Sequence, residues 1–203
     1  MKLYIIRHGE TSWNVQRKLQ GASDTDLNEN GISLAKETGE AMREIPFDIC
    51  FTSPLKRARM TAELVLAGRD VPIIEDMRLR EISFGEWEGR DSALLPAGML
   101  DNFFHHTAVY EPPKGGETIP AVCERTRDFF LDIIHREELQ EKNIMIASHG
   151  CAVRALLQSV YEDACIENFW HGKVPPNCSV NIVEIQNNNA VLLSEDMVMR
   201  SKL

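Results

Sequence analysis

Four short apolar runs constrain this chain more than any other feature. Residues 3–6, 47–51, 71–74 and 144–147 are each four or five residues long. That is too short for a buried helix and suits a strand covered on both faces. Helix-patterned segments separate them. Ile32, Ala35, Gly39 and Met42 share one face, with Lys36, Glu37, Glu40 and Arg43 outward, and Pro46 ends the pattern. A second segment is predicted from Ser53-Pro54, serine as cap and proline at the first helical position, to about Leu66. A long third carries Val122, Phe129, Phe130, Ile133 and Ile134, and a fourth carries Ala152, Leu156, Leu157 and Val160. Residues 180–185 and 190–193 read as a final strand pair across Asn187-Asn188-Asn189. Strands alternating with helices imply an α/β fold with a mostly parallel sheet. No repeat, low-complexity tract or linker interrupts the chain, so residues 1–203 are expected to form a single domain. Residues 91–113, mixing Leu94, Leu95, Met99, Phe103, Phe104 and Tyr110 with His105 and His106, read as a small helical cap.

Composition narrows the functional classes. A net charge of −9 disfavours nucleic acid and anionic membranes as partners, and makes any cluster of arginines informative. The five cysteines form no C-x-x-C pair, which argues against a disulfide framework or structural zinc. The first apolar run is ended by Arg7 and is too short for a signal peptide, and no run is long enough to span a bilayer. The cytoplasm is the expected compartment.

In open α/β sheets ligands bind at the carboxyl ends of the strands. The first strand there delivers Arg7 and His8. The second delivers Ser53, with Lys56, Arg57 and Arg59 following; after the third come Arg78, Arg80 and Glu81; the fourth delivers Ser148, His149 and Gly150. Arginine forks match phosphate oxygens, and a helix opening at Gly150 favours an anion. An imidazole can be a covalent nucleophile, and a carboxylate beside it can protonate a leaving alkoxide. Together they describe phosphoryl transfer without a metal. His105 and His106 read as surface or pocket-lining residues rather than metal ligands.

Arg7-His8-Gly9-Glu10-Thr11 with Trp13-Asn14 resembles the signature of the histidine phosphatase superfamily, the phosphoglycerate mutase-like family. The resemblance continues through Gln20-Gly21, Asp26-Leu27, Leu34-Ala35, Ser53-Pro54-Leu55 with Arg57-Ala58 and Thr61-Ala62, and Leu79-Arg80-Glu81. It runs on through Gly85, Trp87-Glu88-Gly89, Gly115-Gly116-Glu117-Thr118 and Ser148-His149-Gly150. It implies a three-layer α/β/α sandwich with no metal or organic cofactor. It also implies His8 as the phosphorylated nucleophile, with Arg7, Arg57 and His149 as the phosphate pocket. Asn14, Gln20, Gly21 and Gly150 are expected to add phosphate contacts, and Glu81 to act as general acid and base. His8 must then be neutral, which the arginines favour, and its other ring nitrogen is expected to donate to a backbone carbonyl.

The family includes phosphatases and mutases. Residues 90–116 form a short stretch whose only basic side chains besides histidine are Arg90 and Lys114, and Ile82-Ser83 replaces the basic and aromatic pair expected of a glycolytic mutase. The Gly115-Gly116-Glu117-Thr118 loop resembles the phosphatase branch. The expectation is therefore a phosphatase of small phosphomonoesters, with mutase-type transfer and an inactive phospho-ligand binder as alternatives. A regulatory phosphatase of protein phosphotyrosine is disfavoured by the lack of a basic or disordered docking tail. A ribazole phosphate of cobalamin synthesis, phosphoserine, sugar phosphates and phosphoglycerates all stay open as substrates, as do a monomer and a homodimer.

Overall fold

The computed structural model describes residues 1–187 and 189–199. In chain order the elements are β1 (Lys2–Arg7), α1 (Ser12–Val15), α2 (Glu29–Ala41), β2 (Ile49–Thr52), α3 (Lys56–Val65), β3 (Ile73–Glu75), α4 (Met99–His105), α5 (Ile119–Ile134), β4 (Asn143–Ser148), α6 (Gly150–Leu157), β5 (Ser179–Gln186) and β6 (Asn189–Val198). The six strands form one sheet in the order β3-β2-β4-β1-β5-β6. The first four of that order run parallel, and β5 runs antiparallel to both its neighbours, β1 and β6, so the sheet is mostly parallel as expected. The last strand pair forms across Asn187; Asn188 lies outside the described residues.

Alternation along β1 and β4 splits the core into two layers. Leu3, Ile5, Ile144 and Ile146 pack under α5 and α6 with Phe129, Ile133, Val153 and Leu156. Tyr4, Ile6, Met145 and Ala147 pack under α2 and α3 with Ala35, Met42, Ala62 and Val65. Two helical layers thus cover one sheet, giving the α/β/α sandwich. A third cluster lies outside this frame. Met99, Phe103 and Tyr110 of the cap bury against Ile82, Phe84, Ile119, Val122, Phe169 and Trp170. Phe103 is its hub, edge-on to Phe84, Tyr110 and Trp170 at 4.9–5.2 Å between ring centroids, a geometry the ring quadrupoles favour. Leu94, counted among the cap's apolar residues, is instead 79% exposed.

Three element starts differ from the sequence expectation. The second strand begins at Ile49 rather than Phe47, because Phe47 packs edge-on against Tyr4 at 5.1 Å. Asp48 meanwhile ties the chain to Asn143, its carboxylate accepting the Asn143 N–H at 2.8 Å. The third strand begins at Ile73 rather than Val71; Pro72 accepts from Cys50 N–H at 2.9 Å but has no N–H of its own to continue the ladder. The helix expected from Ser53-Pro54 starts at Lys56, with Leu55 at its cap position and no side-chain cap. The Ser53 hydroxyl is taken up elsewhere, as described below. Among the described residues no helix is long and apolar enough to cross a membrane.

Candidate active site

The register of the sheet centre makes the site. β1 and β4 are parallel neighbours with Arg7 opposite Ser148, so the residues that follow, His8 and His149, leave adjacent strand ends. The His8 N–H donates to the Ser148 carbonyl at 2.8 Å, and the two imidazole centroids lie 5.1 Å apart. The backbone at His8-Gly9 is held on every side. Gly9 N–H donates to Thr61 Oγ1 at 3.0 Å, and Asn177 Nδ2 donates to the His8 carbonyl at 3.0 Å. A Cβ on Gly9 would stand 2.6 Å from the Gly31 carbonyl oxygen, so this approach requires glycine.

Eight of the nine candidate residues line one cavity of about 210 Å³: Arg7, His8, Asn14, Gln20, Gly21, Arg57, Glu81 and Gly150. The ninth, His149, is fully buried beside His8. A larger depression of about 1070 Å³ lies along α5 and α6, but none of these groups reach it.

His8 Nδ1 stands 2.7 Å from the Gly9 carbonyl. A carbonyl only accepts, so Nδ1 carries the proton and Nε2 keeps its lone pair. Burial pushes the His8 pKa well below its usual value, and the charges of Arg57 and Arg7 push the same way, so the ring is neutral. His149 is likewise pushed far down by burial, then by Arg57 and His8. Its Nε2 lies 2.7 Å from Ser53 Oγ, while Nδ1 is buried with no partner among the described residues.

Arg57 is fully buried, and its guanidinium donates to the carbonyls of Ser23 and Gly21 at 2.7 Å each. Burial lowers its pKa to about 10, which leaves it charged at neutral pH. Arg7 donates to the Pro175 carbonyl. The Nε atoms of both arginines are buried without partners among the described residues. Two cations with spare buried donors are what an anion satisfies, since buried polar groups otherwise forfeit their hydrogen bonds.

Glu81 lies over the N-terminus of α6. Its carboxyl oxygens accept from Ile82, Cys151 and Ala152 N–H at 2.9, 3.2 and 3.1 Å, which seats the group on the free amides of the helix's first turn. Asn14 Oδ1 accepts from Thr11 N–H at 3.0 Å, and Gln20 Oε1 accepts from the Thr11 and Thr25 hydroxyls at 2.9 and 2.8 Å. With their oxygens so used, both side chains have an amide NH₂ to offer the cavity. Gly21 adopts φ +54°, and a Cβ there would come within 2.3 Å of Glu88 Oε1. Glu88, in the Trp87-Glu88-Gly89 motif, accepts from Ala22 N–H, the Ser23 hydroxyl and Phe84 N–H at 2.6–3.0 Å. It thereby pins the 20–23 loop to the chain beyond Glu81.

Other cations expected at this sheet edge turn away. Lys56 pairs with Asp24, and Arg59 with Glu63 and Glu75. Arg78 is held by Asp76, Asp128 and Asp132, and Arg80 donates to the Met77 carbonyl. His105 and His106 are exposed and lie against Asp101 at 3.0 and 3.5 Å. Sequence reasoning missed the far wall of the cavity: Lys18, Leu19, Phe84, Trp170 and Val174 join Phe103 and Phe104 there. Trp170 Nε1 donates to the Phe103 carbonyl at 2.7 Å, which links its loop to the cap. No hydrophobic period marks residues 162–174; three aromatic or glycine positions, Phe169, Trp170 and Gly172, are the sole signal.

The model of the histidine phosphatase superfamily (branch 1) matches residues 3–196. A 2,3-bisphosphoglycerate-dependent phosphoglycerate mutase of Cytophaga hutchinsonii is 34% identical over 76% of this chain and 75% of its own. The adenosylcobalamin/alpha-ribazole phosphatase of Salmonella typhimurium is 34% identical over 88% of each. The solved structure of Bacillus stearothermophilus YhfR superposes with a TM-score of 0.89 at 31% identity, over 96% of both chains. With such coverage, and with the signature residues gathered at one sheet edge, the chain belongs to the histidine phosphatase superfamily and is an enzyme of that family.

Proposed function

We propose that this enzyme is a metal-independent phosphatase of small phosphomonoesters that works through a phosphohistidine on His8. The observation that carries the reading is the His8 tautomer. Nδ1–H is committed to the Gly9 carbonyl, so the Nε2 lone pair is the nucleophile, in a cradle of Arg7 and Arg57. In the first step Nε2 forms a bond to phosphorus while the bond to the ester oxygen breaks. The Glu81 carboxyl gives its proton to that oxygen, and the alcohol leaves. In the second step the Glu81 carboxylate takes a proton from water, and the water oxygen bonds to phosphorus. The P–N bond then breaks with its electrons returning to Nε2, and orthophosphate leaves. Arg7, Arg57, His149 through Nδ1–H, Asn14 and Gln20 stabilise the charge spread over the phosphoryl oxygens. Ser53 Oγ also accepts the Leu55 N–H at 3.3 Å; in this mechanism its hydroxyl hydrogen goes to His149 Nε2, and Nδ1 carries the proton.

The acceptor wall supports a phosphatase. Beyond the phosphate cradle, Leu19, Ile82, Phe84, Phe103, Phe104, Trp170 and Val174 face the leaving alcohol, with Lys18 as the only cation there among the described residues. Such a wall suits a ring or apolar alcohol and offers little to the carboxylate and second phosphate of a bisphosphoglycerate. Mutase-type transfer is the second reading, favoured by relatives such as the Cytophaga enzyme.

The test is phosphate release from a panel of small monoesters by chelator-treated protein, with 3-phosphoglycerate isomerisation followed in parallel and His8→Ala beside it. Release that persists with chelator and drops by about 10⁴-fold or more in the variant is expected, as for loss of a covalent nucleophile. Isomerisation without net release moves the enzyme to the mutases. Turnover that survives His8→Ala ends the phosphohistidine mechanism.

A further inference from the structure

The Gly115-Gly116-Glu117-Thr118 motif does not line the cavity, and the proposed chemistry leaves it without a role. Its glutamate nevertheless acts on the segment that carries Glu81. The Arg125 guanidinium, on α5, donates through Nη1 to the Arg78 carbonyl at 2.7 Å and through Nη2 to the Glu81 carbonyl at 3.2 Å. One planar side chain therefore spans the start and the end of the turn that presents Glu81. Its remaining face is locked by Glu117, which accepts from Nε at 2.8 Å and from Nη2 at 3.0 Å. The same carboxylate accepts from Ser83 N–H at 3.3 Å, and Glu117 N–H returns a bond to the Ser83 carbonyl at 2.8 Å.

The pair is mostly shielded, with side chains 15% and 23% exposed. Burial works to raise the Glu117 pKa, but the Arg125 hydrogen bond and charge outweigh it, so the carboxylate is charged when it grips Arg125. Other fixtures complete the seat: Leu79 and Ile82 are fully buried on either side of Glu81, and Ser148 Oγ donates to the Leu79 carbonyl at 2.8 Å. Arg78, whose carbonyl is the first anchor, is itself fixed by Asp76 and by Asp128 and Asp132 of α5.

We propose that Glu117 and Arg125 form a clamp that positions Glu81 for proton transfer, acting through the backbone of residues 78–83 and never touching substrate. This rests on the assignment of Glu81 as the general acid. General-acid geometry tolerates little displacement, and a carboxylate on an unclamped turn would drift from the ester oxygen while the phosphate cradle stayed intact. The clamp thus governs the part of the barrier that depends on protonating the leaving group.

The experiment compares kcat/KM for an alkyl phosphate, whose leaving oxygen must be protonated, with that for 4-nitrophenyl phosphate, whose leaving group needs no proton. Because kcat/KM runs only through formation of the phosphoenzyme, breakdown of the intermediate does not blur the comparison. Arg125→Met and Glu117→Gln are measured against the parent, with Glu81→Gln as the reference. For the two clamp variants the alkyl ester should lose about 10- to 100-fold, part of the usual general-acid contribution, while the nitrophenyl ester loses less than about 3-fold. Equal losses on both esters, or no loss on either, overturn the clamp. Glu117→Gln keeps the shape of the side chain, so the comparison holds even where Arg125→Met folds poorly. If Glu81→Gln itself treats the two esters alike, the fault lies with the acid assignment. If Glu81→Gln discriminates and the clamp variants do not, the fault lies with the clamp.

Discussion

The two halves of the cavity are built in different ways. The phosphate half is made from strand ends and the first turn of α3; its side chains are buried, charged or imidazole, and tied to backbone carbonyls through Gly9, Gly21 and Ser23. The acceptor half is made of aromatic side chains from α4 and from the loop carrying Trp170, outside the sheet and packed mainly on one another. In the first half, moving one group strains the sheet core and exposes unpaired buried charge. In the second, a ring can be trimmed with local consequences. On the proposed phosphatase mechanism, the fold holds the chemistry rigid and leaves the choice of alcohol to a region that can change.

The strongest test of that division removes a cradle cation. Arg57→Met should lower kcat/KM by about 10²- to 10³-fold, the usual cost of losing a preorganised charge stabiliser, and by the same factor for every ester. A loss confined to some esters would mean that Arg57 reads the alcohol, and the two halves would not be separable.

The next effect comes from the two buried histidines. Both have folded-state pKa values well below their ordinary 6.5, so the unfolded chain takes up protons that the folded chain refuses. Their contribution is present above pH 6.5 and is lost on acidification, by at most about 2 kcal/mol for the pair between pH 6.5 and 5.5. Urea midpoints across that range measure it, and replacing His149 with Gln should remove about half of the slope. A flat profile would mean that the phosphate half bears no such cost.

The smallest effect belongs to the acceptor half. Phe104 is half-buried and packs on Phe103 and Trp170 at 5.0 and 5.2 Å. Phe104→Ala should cost ring-bearing esters about 10-fold in kcat/KM, in the range set by hydrophobic pocket contacts, and leave small alkyl esters near the parent value. Uniform loss would show that the aromatic wall supports the cradle rather than selecting the alcohol.

How much of this could be read beforehand depended on whether a residue's role is local. Leu3 to Ile6 and Ile144 to Ala147 form strands wherever they are buried, so the placement of His8 and His149 at strand ends followed from covalent order. The arginines were less legible. Arg57 and Arg59 are two residues apart on one helix, yet Arg57 is fully buried in the site and Arg59 is spent on Glu63 and Glu75. Their periodic positions differ, but which face of α3 meets the cavity is settled by packing against β4. Ser53 misled for a related reason: its hydroxyl suits a helix cap, and a histidine from a distant strand claimed it first.

By itself the sequence determined the alternation of strand and helix, the mostly parallel sheet, the family and the candidate site residues around His8, because periodicity and motif order are local properties of the chain. Only the tertiary structure decided that β1 and β4 lie side by side with Arg7 opposite Ser148. It alone brought Trp170 under Phe103, and it alone set Arg125 across the turn that bears Glu81. Those arrangements depend on contacts between residues far apart in the chain, whose free energy exists only once the core has assembled and excluded water.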